Sequence, residues 1–322
     1  MAQAALQGQP LGRSEALRVL RDPDLPLLTL LDAAFQVRKH HFGLGVRVHI
    51  LNNVQNGLCP EDCNYCAQST SSAGSVPVYR MKSDETILEE ARRAHDSGAF
   101  RYCLVLSGRG PGEERLDHLA SVVTRLKQSF PMEVCLSAGF IDAGQAARLK
   151  AAGLDRYNHN LNTSESRYGT ICHTHTYADR LATLEAARSV GLEVCSGLII
   201  GMGEEPDEVV EVALTLNRLD ARSIPVNFYV HAPGSALGEQ NRLTPEACLR
   251  ALCLFRFLNP SAEIRAAGGR EVNLRALESL ALYPANSLFA EGYLNTGGHG
   301  ADKTMQMIRD AGFTVERVDE QE

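Results

Sequence analysis

Short apolar runs alternate with amphipathic stretches along most of the chain. From Val46 onward, runs that resemble strands are each followed by a stretch whose apolar positions have helical spacing. Strands are predicted at 46–52, 100–107, 132–138, 155–162, 193–200, 223–230, 262–267 and 285–290. Helices are predicted at 83–97, 113–129, 142–152, 177–190, 205–218, 244–258, 271–281 and 302–311. Eight strand–helix units in about 270 residues favour an α/β fold, a (β/α)8 barrel of the TIM type.

The same pattern divides the chain into three regions. Residues 1–45 are predicted to form an N-terminal helical extension, with one apolar face made of Leu17, Leu20, Leu28, Leu31 and Ala34. The barrel is expected to occupy 46–316, with a C-terminal tail at 317–322. A doubly wound open sheet is the alternative. Its one candidate phosphate loop, Gly201–Glu205, lacks the full G-x-G-x-x-G pattern and comes late in the chain.

Composition narrows the class of protein. The 322 residues are 44% hydrophobic and 22% charged, which is typical of a globular chain with a sizeable core. A net charge of -7 argues against a nucleic-acid partner. No apolar run is long enough to span a bilayer, and residues 1–14 lack the apolar core of a secretory signal. Nine cysteines at low density indicate reduced, metal-binding thiols, so a soluble, cytoplasmic protein is expected.

The most specific motif follows the first predicted strand. Cys59, Cys63 and Cys66 have C-x3-C-x2-C spacing, which supplies three thiolates; they are called the outer cysteines below. A structural zinc site normally uses four ligands, whereas a cubane iron–sulfur cluster held by three cysteines leaves one iron open. A zinc knuckle, or three thiols that share a loop by chance, is the alternative.

A second constellation lies within the predicted strands. Cys103, Cys135 and Cys195, called the inner cysteines, each fall in a different strand. Each could be a small core residue, but side chains that alternate along barrel strands can also converge on the barrel axis as a metal site. Arg265 interrupts an otherwise apolar strand, where an unpaired guanidinium would be costly. It is therefore predicted to need an anionic or metal partner.

The outer motif, with Tyr65 before its third cysteine, resembles the signature of radical S-adenosylmethionine (SAM) enzymes. From about residue 40 to 316 the chain resembles the biotin synthase family. The matching motifs are Cys59-Pro-Glu-Asp-Cys-Asn-Tyr-Cys66, Tyr157–Asn160, Val194–Gly197, Pro225–Phe228 and Ile264-Arg265. The resemblance implies a SAM-radical barrel in which the outer cysteines hold a [4Fe-4S] cluster that binds SAM. It also implies that the inner cysteines and Arg265 hold a [2Fe-2S] cluster.

The resemblance also implies roles for polar residues around these clusters. Asn158 and Asn227 would bind dethiobiotin, Asn160 both substrate and SAM, and Arg180 the SAM carboxylate. Tyr65 would lie near the adenine, and Asn162 near the ribose. Many relatives carry aspartate at position 162, so a helix-capping role just before Thr163-Ser164-Glu165 is the alternative there. For Arg180 the alternative is a solvated helix charge.

Several conspicuous residues receive structural interpretations. His173 and His175 resemble a His-x-His metal site, but no further ligands are evident nearby. Cys172 is additional to the family pattern. Cys248 and Cys253 lie at helical spacing in an apolar run, which favours core packing. Gly201–Glu205 most simply ends a strand, although the family uses this loop beside SAM.

The activity that the resemblance implies is radical insertion of sulfur into dethiobiotin to form biotin, a sulfurtransferase reaction beyond side-chain acid–base chemistry. The implied partners are an electron donor such as flavodoxin or ferredoxin, iron–sulfur assembly proteins and a second copy in a homodimer. Lipoyl synthase is a rival, but its additional C-x4-C-x5-C motif is not found. Maturase-like radical SAM enzymes typically lack the full inner set, and a non-catalytic iron–sulfur electron carrier is the rival from another class.

Overall fold

The computed structural model describes residues 1–9, 11–57, 59–240 and 243–318. In this part of the chain the strands are β1 (Gly45–Gln55), β2 (Arg101–Leu106), β3 (Glu133–Ser137), β4 (Arg156–Asn158), β5 (Glu193–Cys195), β6 (Leu198–Ile200), β7 (Ser223–Phe228), β8 (Glu263–Ala266), β9 (Ser287–Ala290) and β10 (Thr314–Glu316). Parallel pairing runs β1-β2-β3-β4-β5-β7-β8-β9, and β9 pairs with β1 to close the ring. β6 also pairs with β7, so β5 and β6 share the fifth position. The predicted eight-position barrel is confirmed.

The helices of the described residues are α1 (Ala2–Leu6), α2 (Arg13–Arg21), α3 (Leu27–Phe42), α4 (Asp84–Asp96), α5 (Glu113–Ser129), α6 (Ala143–Ala151), α7 (Glu165–Tyr168), α8 (Tyr177–Ser189), α9 (Pro206–Arg218), α10 (Pro245–Leu258), α11 (Arg270–Leu274) and α12 (Ala301–Asp310). A 3-10 helix spans Arg275–Leu282. Seven of the eight predicted barrel helices are found with their expected ends to within one residue. No helix of the described chain has the length and apolar character needed to cross a membrane.

Side-chain caps explain why these helix ends could be predicted. Ser83, Asp142 and Thr244 each accept a hydrogen bond from the backbone N–H three residues further on. A cap of this kind satisfies one of the amide groups that have no partner within the helix, and it typically stabilises the helix by ~1 kcal/mol. The caps therefore start α4, α6 and α10 at positions that the sequence makes visible.

The N-terminal region differs from its predicted form. It contains three helices, and α2 and α3 pack against α10 on the outside of the barrel. Leu31 and Ala34 are buried as expected, but Leu28 is 72% exposed, because α3 turns Leu30 and Val37 inward instead. The prediction for Leu28 was wrong. These helices share a continuous hydrophobic core with the barrel, and the division at residues 45 and 316 stays a prediction.

Two predicted boundaries need correction, and one strand was not predicted. The strand predicted at 155–162 ends at Asn158, and only an isolated bridge at Asn162 continues its pairing. The helix predicted at 271–281 is divided at Arg275, whose φ of 53° interrupts α11 before the 3-10 helix. β10 was not predicted; it adds to the start of β1 outside the ring. Of the predicted tail, residues 319–322 lie outside the described residues.

Candidate active site

The outer cysteines line one cavity at the end of β1. Cys63 is buried, whereas Cys59 and Cys66 are partly exposed, and all three lie in the loop that leads out of the strand. A loop after a barrel strand is where functional groups of this fold are expected. The three thiols therefore form a donor set that faces a common space.

Two acidic residues between these cysteines fix the loop. The Glu61 carboxylate accepts hydrogen bonds from the Thr174 hydroxyl at 2.6 Å and from Arg109 Nη1 at 3.0 Å. The Asp62 carboxylate accepts the backbone N–H groups of His173 and Thr174 at 2.9 and 3.1 Å. Sequence reasoning assigned no role to either acid. Their contacts attach the cysteine loop to residues 172–175.

Cys172 brings a fourth thiol close to the outer set. The Cys63 thiol donates a hydrogen bond to Cys172 Sγ at 3.8 Å, and this contact, helped by His175, lowers the pKa of Cys172 to about 4. Ligand atoms of Cys63, Cys172 and His175 lie within 4.8 Å of one another, so the expectation that no further ligands lie near the His-x-His pair was wrong. However, His175 Nδ1 lies 2.5 Å from Glu61 and its Nε2 accepts from Arg180 at 2.9 Å, which leaves neither nitrogen free.

The inner cysteines converge on the other end of the same cavity. Cys103 and Cys135 are register partners in β2 and β3, and Cys195 of β5 lines the same cavity. All three are buried and line the cavity together with Arg265. By contrast, Cys248 and Cys253 are fully buried in the core around α10, as predicted.

Arg265 presents one edge to these thiols. Its Nη2 donates to Glu263 at 2.5 Å and to the Ser223 hydroxyl at 2.7 Å, so the guanidinium has an anionic partner in the protein. Its Nη1 lies 3.9 Å from Cys195 Sγ, and its Nε has no hydrogen-bond partner among the described residues. Three buried thiols beside the Nη1 side of Arg265 fit a two-iron cluster with three sulfur ligands and one nitrogen ligand, which Arg265 would provide as a neutral guanidine after losing one proton.

Asn158, the last residue of β4, and Asn160 and Asn162 just after it all line this cavity. Asn158 Nδ2 donates to Cys195 Sγ at 3.2 Å, and Asn160 Oδ1 accepts from the Gly197 N–H at 3.1 Å. Asn162 Nδ2 donates to the Tyr65 hydroxyl at 2.6 Å. Asn162 is not a helix cap, because Ser164 caps α7 instead. It adopts a left-handed φ of 69°, a conformation that asparagine tolerates better than most residues.

Arg180 is a buried residue and not a solvated helix charge. Its Nη1 donates to the Asn160 carbonyl at 2.9 Å, its Nη2 to His175, and its Nε to the Tyr168 hydroxyl. The guanidinium is thereby held at the wall of the cavity.

Asn227 lies in a neighbouring cavity, which shares Tyr65, Cys66, Asn160 and Asn162 with the first. Its side-chain amide joins two backbone segments, since Nδ2 donates to the Leu198 carbonyl and Oδ1 accepts from the Gly268 N–H, each at 3.0 Å. Asn227 therefore supports the wall between these segments, in addition to any contact that it makes with a ligand.

Known proteins share both the sequence and the fold. The profile of the radical SAM superfamily matches residues 55–216, and that of the biotin and thiamin synthesis associated domain matches 225–314. A biotin synthase from Magnetococcus marinus is 64% identical over 100% of both chains, and one from Acaryochloris marina is 54% identical over 94% of this chain and 88% of its own. In fold alone, methylornithine synthase aligns over 99% of this chain and 98% of its own, with a TM-score of 0.82 and 17% identity. The chain therefore belongs to the biotin synthase family of the radical SAM superfamily.

Proposed function

We propose that this chain inserts sulfur between two unactivated carbons of dethiobiotin to form biotin, with SAM as co-substrate. The observation that carries the proposal is that the outer and inner cysteines line one cavity, which Asn158 and Asn160 also line. A site with this arrangement can hold a substrate carbon between a radical source and a sulfur source. Such positioning, with water excluded, is what the protein contributes to radical chemistry.

The outer cysteines would hold a [4Fe-4S] cluster, and the inner cysteines with Arg265 a [2Fe-2S] cluster. When bound, these groups supply the electron that splits SAM to a 5′-deoxyadenosyl radical and the sulfide that enters the product. The same proposal includes an electron donor such as flavodoxin or ferredoxin, assembly proteins that load the clusters, and a homodimeric state.

The side chains around the cavity would bind and orient both small molecules. Arg180 would pair with the SAM carboxylate, while Tyr65 and Asn162 would lie along the adenosine. Asn158 would hydrogen-bond the ureido ring of dethiobiotin, and Asn160 would contact both molecules. Amides suit this task because each offers a donor and an acceptor without a charge.

The direct test of the function is whether 5′-deoxyadenosine formation depends on dethiobiotin. The reconstituted chain is supplied with SAM and a reductant, with and without dethiobiotin, and 5′-deoxyadenosine and biotin are quantified. We expect both products to rise when dethiobiotin is present. An electron carrier would cleave no SAM under either condition, and a radical SAM enzyme with another substrate would show no dependence on dethiobiotin.

Replacing Asn158 with alanine is expected to weaken dethiobiotin binding. Loss of a hydrogen bond that leaves a buried polar group unpaired costs on the order of 1–3 kcal/mol, or roughly 5- to 150-fold in Kd. Asn227→Ala should also lower stability, because its amide joins Leu198 to Gly268. Equilibrium binding and thermal unfolding are measured in parallel.

Asn259 provides a control for these variants. It is buried and donates to the Ala213 carbonyl, away from the residues that line the two cavities. Asn259→Ala should lower stability and leave dethiobiotin affinity unchanged. Normal affinity in both Asn158→Ala and Asn227→Ala would remove these residues from the substrate site.

Replacing Arg180 with lysine is expected to raise the Kd for SAM by about 10- to 100-fold. The planar guanidinium is held by four partners and can still offer one Nη2 N–H group to a carboxylate, whereas a lysine is a point charge on a flexible stem. Hydrogen bonds to charged groups contribute roughly 1.5–3 kcal/mol. SAM binding to the cluster-loaded chain is measured by equilibrium dialysis, with the exposed Arg188→Lys on the same helix as the control. Equal affinity in the two variants would exclude Arg180 from the SAM site.

A further inference from the structure

A buried carboxylate lies close to the inner cysteines. Glu263 is the first residue of β8 and is 2% exposed. It precedes Arg265 by two residues, and side chains at that spacing point to the same face of a strand. A carboxylate in such a place requires charged or hydrogen-bonding partners.

Glu263 has a full set of partners. Its Oε1 accepts from Arg265 Nη2 at 2.5 Å, Arg101 Nη1 at 2.9 Å and the Ser223 hydroxyl at 3.0 Å, while Oε2 accepts from Arg101 Nη2 at 3.0 Å. Arg47 and Arg156 approach Oε2 to 3.6 and 4.0 Å, and His49 Nε2 lies 3.3 Å from Oε1. Burial, and after it the positive charge of Arg265 and Arg101, lowers the pKa of His49, so this imidazole is neutral.

These contacts restrict the Arg265 guanidinium to one orientation. Because the group is planar and rigid, fixing Nη2 on Glu263 and Ser223 also fixes the direction of Nη1. Nη1 then lies on the side of Cys195 Sγ, and the ring of Phe289 packs against the guanidinium carbon at 4.9 Å. Nη2 is already committed to two oxygen acceptors, so Nη1 is the terminal nitrogen that remains directed toward the thiols.

We propose that Glu263 is a positioning residue for the inner cluster: it holds Nη2 of Arg265 so that Nη1 is the nitrogen presented to iron. The inference rests on the proposed function, in which Arg265 is the fourth ligand. A long side chain loses rotamer freedom when it binds a metal, and a side chain that is already fixed loses less. Glu263 therefore determines which atom ligates the cluster without touching the iron.

The experiment compares the inner cluster in the full chain, in four single variants and in one double variant, after anaerobic reconstitution with ⁵⁷Fe. Glu263→Gln removes the carboxylate charge, and Glu263→Asp retains it with a shorter reach. Glu133→Gln is the matched control, because Glu133 pairs with Arg101 and Arg156 but has no hydrogen bond or ion pair to Arg265 in the described residues. Arg265→Ala defines the spectrum without the nitrogen ligand. Mössbauer spectra and the reduction midpoint potential of the inner cluster are recorded.

We expect Glu263→Gln to change the quadrupole doublet of one iron and to shift the midpoint potential in the same direction as Arg265→Ala. Glu263→Asp should restore part of the wild-type spectrum, and Glu133→Gln should match the wild type. The double variant Glu263→Gln/Arg265→Ala should equal Arg265→Ala alone, because Glu263 acts through Arg265. If Glu263→Gln fails to fold, Ser223→Ala tests the same constraint on Nη2, with the same expected shift.

Three results would overturn the inference. The first is a wild-type inner cluster in Glu263→Gln, and the second is a shift in the double variant that is the sum of the two single shifts. Either result, in a chain that holds both clusters, would leave the proposed function intact. The third is a wild-type chain that assembles only one cluster, which would overturn the proposed function together with the inference.

Discussion

The Cys63→Ala variant is expected to lose SAM cleavage down to the background level. Cys63 is one of only three cysteines in the outer motif, and two thiolates cannot hold a cubane cluster with one defined open iron. Cys59→Ala and Cys66→Ala should behave in the same way. The measurement is 5′-deoxyadenosine formed per chain after anaerobic reconstitution, together with iron and acid-labile sulfide content.

Cys172 supplies the control for this prediction. Its Sγ lies 3.8 Å from Cys63 Sγ, yet Cys172 is not among the described residues that line the cavity. Cys172→Ala should therefore retain the outer cluster and SAM cleavage. Normal 5′-deoxyadenosine yield from Cys63→Ala would contradict the assignment of the outer cysteines. Loss of the outer cluster in Cys172→Ala would instead make Cys172 a fourth ligand and close the position that SAM needs.

The Cys195→Ala variant is expected to lose the inner cluster and all biotin formation, while it retains the outer cluster and SAM binding. Cys195 is 1% exposed, and it lines the cavity together with Cys103 and Cys135. The measurement is Mössbauer spectroscopy with single-turnover biotin yield, in chains whose inner sulfide carries a sulfur isotope. Cys253→Ala, which removes an equally buried thiol from the core around α10, should keep both clusters.

Arg265→Ala should be milder than Cys195→Ala. Water or a neighbouring side chain can replace a nitrogen ligand more easily than a thiolate that anchors the cluster. Loss of the guanidinium also leaves Glu263 paired, since both of its oxygens accept from Arg101. The fold and part of the cluster should therefore survive. Retention of both clusters in Cys195→Ala, or biotin that carries no isotope from the inner sulfide, would contradict the sulfur-donor assignment.

The barrel could be predicted from the sequence because the local patterns of its strands and helices are strong. Hydrophobic periodicity located the strands and helices, and the structure shows that Ser83, Asp142 and Thr244 cap three of the predicted helices. The failures lie where tertiary contacts override local preference. Leu28 has the right spacing for burial, but α3 packs on α10 through a different face. β10 is three residues long and is defined only by its pairing with β1.

Only those residues of the candidate site that belong to short sequence motifs could be predicted. Spacing identified the outer cysteines, and an arginine in an apolar strand drew attention to Arg265. The partners of these groups were missed because most of them are distant in the chain, as Arg101 is from Glu263 and Glu61 from His175. The sequence does show one partner of Arg265. Glu263 is two residues before it in the same strand, and this spacing places both side chains on one strand face.

Pairing of β1 with β9 has a consequence for how the protein is made. The two strands are separated by roughly 230 residues, so the contact that completes the ring is among the most non-local in the fold. At the usual pace of synthesis, β1 waits ~10–50 s for its partner to leave the ribosome. During that time its open edge is a template for pairing with other chains. A translation product that stops before Ser287 would therefore be an aggregation-prone sheet with a free edge rather than a shortened enzyme.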